Sequence, residues 1–315
     1  MPNIAIVGAT GLVGRMFLTG LEELNVPIES LTLFASKKSA GKIIDYKGKE
    51  YRVIELKDEN IKSYDYALFS AGGKISKDFV RLFIERGATV IDNSSFFRMK
   101  EGVPLLVPEV NMDSYNGEKL IANPNCSTIQ TVMPLKALEE YGVKRVVVST
   151  YQAVSGSGRN GINDLKRTLK NKEAIFYPYS IANNCIPQID EFSLNGYTFE
   201  EEKMINEAKK IVNVNLTATC VRVPIRNTHS VSINIEFEKE YDIKDIKKKL
   251  SNFNGIEYYE RYPVSEMADN KNLCLVGRVR RDYSKQNALN LWCVADNLRK
   301  GAAINAVQIL NCIRR

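Results

Sequence analysis

The sequence predicts an α/β chain of two domains, a doubly wound parallel sheet first and an α+β domain with a mixed sheet after it. Three observations predict this. Through the first 125 residues, short apolar strands alternate with longer stretches of helical apolar spacing, which implies parallel strands joined by right-handed crossovers. A glycine-rich turn follows the first of those strands directly and opens a helix. Beyond Cys126 the strands become longer and alternating, with fewer crossovers between them, as in mixed or antiparallel sheets.

Taken in order, strands are expected at residues 3–7, 31–34, 66–70, 89–93 and 120–123, with helices at 12–24 and 77–86. A helix over 127–141 then leads into a β-rich strand at 145–151. Later strands are expected at 216–223, 230–237 and 288–294, and helices at 162–169, 200–211 and 243–253. A last amphipathic helix, 297–313, is expected to pack back on the first domain. The predicted division is 1–127 with the C-terminal helix 296–315, and 128–295.

Composition narrows the function. The chain has 315 residues, 44% hydrophobic and 26% charged, which is ordinary for a globular protein of about two domains. No apolar run reaches the ~18 residues of a membrane span, and the first residues lack the features of a signal peptide. A cytoplasmic protein with no membrane partner is expected. The net charge of +7 is dispersed rather than striped, so anionic small molecules, not nucleic acid, are the expected ligands. Six scattered cysteines form no C-x-x-C pair, and most sit among apolar residues as buried thiols do. A single histidine, His229, excludes a multi-histidine metal site. No metal is expected.

The turn Gly8-Ala9-Thr10-Gly11-Leu12-Val13-Gly14 carries the nucleotide reading. Glycines there permit a tight turn and close approach of the backbone to a pyrophosphate at the helix N-terminus. That makes the first domain a Rossmann-type dinucleotide-binding unit. At the end of the second strand, Phe34-Ala35-Ser36-Lys37-Lys38-Ser39 contains no acid to bind a ribose 2′-hydroxyl. Hydroxyls and ammonium groups suit a 2′-phosphate, so NADP(H) is the expected cofactor.

The run Asn123-Pro124-Asn125-Cys126-Ser127-Thr128 lies where a strand ends and a helix begins. A thiol there feels the positive end of the helix dipole, which favours the nucleophilic thiolate. In Cys220-Val221-Arg222-Val223-Pro224-Ile225-Arg226-Asn227-Thr228-His229 the lone histidine starts a strand beside two arginines, either of which could face a ligand. A cysteine and a histidine with a nicotinamide cofactor point to aldehyde oxidation, or acyl reduction, through a thioester.

These segments resemble one family, the bacterial branch of the aspartate-semialdehyde dehydrogenases. The resemblance also takes in Asp92-Asn93-Ser94-Ser95 with Phe97-Arg98, Val107-Pro108-Glu109-Val110-Asn111 and Ser149-Thr150-Tyr151-Gln152-Ala153-Val154-Ser155-Gly156. Further on, Ile181-Ala182-Asn183-Asn184, Ile186-Pro187-Gln188-Ile189-Asp190 and Asp296-Asn297-Leu298-Arg299-Lys300-Gly301-Ala302-Ala303 match as well, so the likeness runs from residue 3 to about 310. It implies NADPH-dependent reductive dephosphorylation of β-aspartyl phosphate to aspartate semialdehyde, in biosynthesis of lysine, methionine, threonine and diaminopimelate. It also implies roles for matching residues: Cys126 as nucleophile, His229 as acid/base, and Gln152 orienting the thioester and substrate. Arg222 would clamp the substrate carboxylate, Glu200 would bind the substrate, and Arg98 and Lys203 the phosphate. Gly8, Thr10, Gly11, Leu12, Val13, Ser36, Lys38, Ser39, Ser155, Gly156 and Asn297 would contact the cofactor. A homodimer or homotetramer formed through the second domain is expected.

One departure is Ser157, where the family often has a smaller residue. Rival readings are an N-acetyl-glutamyl-phosphate reductase, whose cysteine tends to follow Gly rather than Asn125, and glyceraldehyde-3-phosphate dehydrogenase, with its Ser-Cys-Thr-Thr flank. The third is a nucleotide-binding regulator that has lost catalysis.

Overall fold

The computed structural model describes residues 1–314; the last position of the expected 296–315 segment, 315, lies outside them. The chain forms two compact units, the first made of Met1–Pro124 together with the chain from Ala302 onward, the second of Asn125–Gly301. Cys126, expected at the end of the first domain, therefore opens the second unit.

In the first unit, β1 (Asn3–Val7) leads through the glycine turn into α1 (Leu12–Glu23) and β2 (Ser30–Ala35). The strands β3 (Ile43–Tyr46) and β4 (Lys49–Arg52) pair as an antiparallel hairpin apart from the main sheet, and β5 (Ile54–Glu55) returns to it. Then come β6 (Tyr66–Phe69), α2 (Gly73–Glu85), β7 (Thr89–Asp92), a short α3 (Pro108–Asn111) and β8 (Leu120–Ala122). The sheet order is β5-β2-β1-β6-β7-β8, with every pairing parallel. The order reverses at β1, so the glycine turn sits at the switch point, where open α/β sheets bind ligands. Helix α2 starts at Gly73, earlier than the expected residue 77. Gly72 is in the left-handed region, at φ 88°, and Gly73 already begins the helix.

The second unit begins with α4 (Cys126–Ala137), followed by β9 (Val143–Gln152), α5 (Gly158–Thr168) and α6 (Phe199–Val212). Strands β10 (Leu216–Arg222) and β11 (His229–Phe237), helix α7 (Ile243–Asn252), β12 (Ile256–Tyr258), α8 (Ser265–Ala268), β13 (Cys274–Arg281) and β14 (Ala288–Ala295) complete it. Its sheet runs β10-β9-β11-β14-β13-β12 and is mixed, with parallel pairing at both outer pairs and antiparallel pairing between. Helix α4 is buried along nearly its whole length, from Ser127 to Leu135.

The expected helix 297–313 is split. Arg299–Ala303 forms a wider π-type turn, and α9 proper is Ile304–Ile313. The Asp296 carboxylate accepts the Leu298 and Arg299 amides at 2.9 and 3.1 Å, so the polar start of this segment is tied down as a cap. Helix α9 then packs on α1 in the first unit: Ala306, Val307, Ile309 and Leu310 join Ile4, Ile6, Phe17 and Leu21 in one core.

Candidate active site

Three of the expected site residues are brought together by strand register alone. Arg222, the last residue of β10, pairs with Gln152, the last of β9, and Gln152 pairs with His229, the first of β11. His229 in turn pairs with Ala295, the last residue of β14, so Asp296 and Asn297 leave the sheet at that same end. Residues paired across a sheet point to the same face. Arg222, Gln152 and His229 are all buried, at 4%, 1% and 0% exposure, whereas Arg226 is exposed. Of the two arginines, only Arg222 belongs to this row.

Each member is held from the backbone. The Arg222 Nη1 donates to the Ala153 carbonyl at 2.6 Å, while its Nε has no protein partner. The Ala153 amide donates to His229 Nδ1 at 3.0 Å. An amide N–H only donates, so in the neutral ring the proton stands on Nε2, which is buried and unpartnered. Burial pushes the His229 pKa down to about 3, and the Arg222 guanidinium adds to the fall. Thr228, just before it, is buried with φ at 72°, a strained conformation for a β-branched residue. The Asn297 Oδ1 accepts the Thr228 amide at 2.9 Å and so supports that turn.

Gly156 lies against this row. A Cβ there would stand 3.1 Å from Arg222 Nη1 and 3.3 Å from the His229 ring. Ser155 and Asn297 are hydrogen-bonded to each other at 2.9 Å, which places three expected cofactor contacts together in the second unit.

Cys126 is the first residue of α4, half-buried, with Asn125 as N-cap. The Asn125 side chain accepts the Ser127 and Thr128 amides at 2.9 and 3.3 Å. Its Nδ2 donates to Glu200 Oε1 at 2.9 Å, and Gln152 Nε2 reaches the same oxygen at 3.3 Å. Glu200 thus links the strand row to the residue preceding the thiol. Lys203 lies one turn along α6 and bridges Glu200 at 3.3 Å and Asp190 at 2.7 Å. Burial lowers its pKa, but the two carboxylates outweigh that and hold it above the ordinary value.

In the first unit, Gly8 has φ 89°, and a Cβ on it would stand 2.6 Å from the Ser70 carbonyl. A Cβ on Gly14 would stand 2.1 Å from the Gly8 carbonyl. Both positions require glycine. Thr10, Gly11, Leu12 and Val13 are half-exposed across the turn and the start of α1, and Ser36 and Lys38 are exposed beyond β2, with Ser39 half-exposed. Arg98 is buried past the carboxyl ends of β7 and β8, donating to the Asn93 and Asn123 carbonyls at 2.9 Å each.

Three groups at the site have no role assigned from the sequence. Asp190 neutralises Lys203, Tyr177 donates to Ser157 at 3.1 Å, and Glu207 accepts the Asn125 amide at 2.7 Å. Asp190 ends one of the matching segments, and Glu207 is an acid seven residues from Glu200, on a helical face otherwise lined by Met204, Ala208 and Ile211; Tyr177 left no signal. The cysteines also differ from expectation. Cys220, Cys274 and Cys293 are buried, but Cys185 and Cys312 are exposed, one in a loop and one near the end of α9. Among the described residues no group of His, Cys, Asp and Glu is placed to hold a metal, and no helix is long and apolar enough to cross a membrane.

A nucleotide-type parallel sheet in one unit, and a thiol, an imidazole and a buried arginine in the other, define an oxidoreductase of the semialdehyde dehydrogenase class. Family models agree: "Semialdehyde dehydrogenase, NAD binding domain" matches residues 3–117, and "Semialdehyde dehydrogenase, dimerisation domain" matches residues 134–300. The aspartate-semialdehyde dehydrogenase of Aquifex aeolicus is 49% identical, over 98% of this chain and 96% of its own. The crystal structure of aspartate semialdehyde dehydrogenase II from Vibrio cholerae is similar at TM-score 0.94 and 42% identity, covering 100% of this chain and 99% of its own. A second structure of that protein, complexed with ASA, is similar at TM-score 0.94 and 41% identity, covering 100% and 98%. The chain belongs to the aspartate-semialdehyde dehydrogenase family.

Proposed function

We propose that the chain is an NADPH-dependent aspartate-semialdehyde dehydrogenase that reduces β-aspartyl phosphate through a thioester on Cys126. The observation that carries this is the buried row Arg222, Gln152 and His229, joined through Glu200 to the residue before Cys126. It sets a carboxylate-binding cation, a donor and a candidate amine-binding carboxylate around one thiol.

The first unit fits the nucleotide. Gly8 and Gly14 have no room for a Cβ against the neighbouring backbone. Glycine there lets β1 turn tightly into α1 and sets the helix N-terminus at the switch point, and the end of β2 offers Ser36, Lys38 and Ser39 with no acid. When bound, NADPH supplies the hydride that reduces the thioester. Ser155, Gly156 and Asn297 are the proposed contacts from the second unit.

The protein's own groups do the rest. The α4 N-terminus favours the Cys126 thiolate. Its sulfur attacks the acyl carbon of β-aspartyl phosphate; a C–S bond forms, the C–O bond breaks, and inorganic phosphate leaves with the electron pair. Arg98 and Lys203 are the proposed phosphate-binding cations, and Lys203 must exchange a carboxylate partner to serve. Arg222 holds the α-carboxylate in a bidentate fork and Glu200 the α-ammonium. Gln152 orients the thioester carbonyl. In the acid/base position, His229 presents Nε2–H to the oxygen that gains charge when the acyl carbon becomes tetrahedral. Collapse of that centre returns the thiolate and releases the aldehyde.

The half-exposed face of the second sheet, with Val147, Ser149 and Val221 beside the packed rings of Tyr151 and Trp292, is the proposed homodimer face. The activity belongs in the cytoplasm, where thiols stay reduced.

The test is turnover of aspartate semialdehyde with NADP and phosphate, followed by NADPH absorbance and compared with N-acetylglutamate semialdehyde. No reaction, or a preference for the acetylated substrate, would overturn the assignment.

A further inference from the structure

We propose that Glu207 is a positioning residue for the Cys126 thiol, acting through the main chain of Asn125. The proposal rests on the reading of Cys126 as nucleophile. Asn125 spends its side-chain oxygen on the Ser127 and Thr128 amides, which closes the first turn of α4. Its own amide N–H points back out of that turn, and Glu207 Oε2 accepts it at 2.7 Å. On the other side Glu200 Oε1 takes the Asn125 Nδ2 at 2.9 Å. Both carboxylates come from α6, on one buried face, with exposures of 6% and 1%.

Burying a carboxylate is costly unless hydrogen bonds compensate it, and at 1% exposure Glu207 commits an oxygen to the Asn125 amide. A backbone N–H bonded to a carboxylate makes a shorter and stronger bond than one to a neutral acceptor, and a carboxylate offers no competing donor. The nitrogen held by Glu207 belongs to the residue bonded to Cys126. With both the amide and the side chain of Asn125 held by one rigid helix, the Cys126 Cα has little freedom to move. Lys210, one turn further along α6, lies within electrostatic reach of Glu207. Loss of Glu207 would release the start of α4, which carries the reacting thiol and not the groups proposed to hold the substrate carboxylate and ammonium. The effect therefore belongs in kcat rather than KM.

The experiment compares Glu207→Leu, Glu207→Gln and Glu207→Asp with the unmodified protein, using steady-state oxidation of aspartate semialdehyde. NADP affinity and circular dichroism serve as checks on folding. Glu207→Leu is expected to lower kcat by about 100-fold, the cost of a displacement near 1 Å at a reacting group, with KM for the semialdehyde unchanged within about twofold. Glu207→Gln keeps an acceptor oxygen and should recover at least about tenfold of that loss. Should the leucine variant fail to fold, Glu207→Asp, whose carboxylate is drawn back by one carbon, should show the same kcat loss in a smaller measure. A folded leucine or aspartate variant with kcat within about twofold of the unmodified protein would overturn the proposal, as would a glutamine variant as impaired as the leucine one. Absence of turnover in the unmodified protein would instead overturn the reading of function, and this proposal with it.

Discussion

Acidification isolates His229, because the chain has no other histidine. Burial first and Arg222 second push its pKa from 6.5 down to about 3, while the Thr228 backbone pulls the other way. The native ring therefore stays neutral where the unfolded chain takes up a proton. Stability is then lost as pH falls below about 6.5 and continues to fall toward about 3. Each pH unit in that window costs about 1.4 kcal/mol, so the descent from about 6.5 to about 5 costs about 2 kcal/mol. In His229→Asn the side-chain oxygen can still accept the Ala153 amide, and no group titrates in this range at that position. Urea unfolding of both proteins at the two pH values should show the unmodified one losing about 2 kcal/mol more. Carboxylates contribute to both and cancel. A parallel reading comes from 15N-histidine labelling, which yields one imidazole: it should be the neutral Nε2–H form throughout that range. Equal pH dependence in the two proteins, or a protonation midpoint near the ordinary value, would refute the reasoning.

The other predictions concern the cofactor, the clamp and the nucleophile. Lys38→Glu replaces an ammonium by a carboxylate where a 2′-phosphate is expected. It should reduce the NADP-over-NAD ratio of kcat/KM roughly tenfold, about 1.4 kcal/mol, and equal use of both cofactors by the unmodified protein would count against the assignment. Arg222→Lys keeps the charge but loses the fork, so KM for the semialdehyde should rise and kcat fall; an unchanged kcat/KM would remove Arg222 from the site. Cys126→Ala should abolish turnover with NADP binding nearly intact, and Cys126→Ser should be almost as inactive. Iodoacetamide should label Cys126 before Cys185 and Cys312, which are more exposed, so that the order reports thiolate character and not access. Mass spectrometry of the quenched acyl-enzyme should place the adduct on Cys126.

The parts of the fold that are legible in sequence are those governed by local pattern. The parallel alternation, the glycine turn after β1 and the start of a helix at the Asn125-Cys126 step follow from apolar period, turn residues and cap preference. The β3–β4 hairpin and β13 went unrecognised. The hairpin is short, with the apolar Ile43 at an exposed position of β3 and a β4 that is polar at three of its four residues, and β13 ends in Arg278, Arg280 and Arg281 after a bulge, so the apolar pattern of neither has a clean period of two. At the site, residue types drew attention to Cys126, His229 and the arginines; they leave Arg222 and Arg226 open, the family resemblance favours Arg222, and register across three strands places Arg222 alone in the row. The pairing of Lys203 with Asp190 and of Glu207 with Asn125 spans 13 and 82 residues of chain. No local pattern encodes such contacts, and charge alone gives no hint of which acid meets which donor.

The return of α9 to the first unit bears on how the protein is made. Ala306, Val307, Ile309 and Leu310 are fully buried in the same core as Ile4, Ile6 and Phe17, and a Cβ on Gly20 would stand 3.0 Å from Ile304. Synthesis thus separates the strands of the first unit from the helix that closes its core by the whole of the second unit. Until residues 304–310 are synthesised, α1 and its strands hold an open apolar groove, whereas Asn125–Gly301 already has every strand of its own sheet. During synthesis the first unit is therefore expected to close its core after the second, in contrast to the usual N-terminal-first order, and apolar surface exposed in that interval is of the kind that chaperones cover.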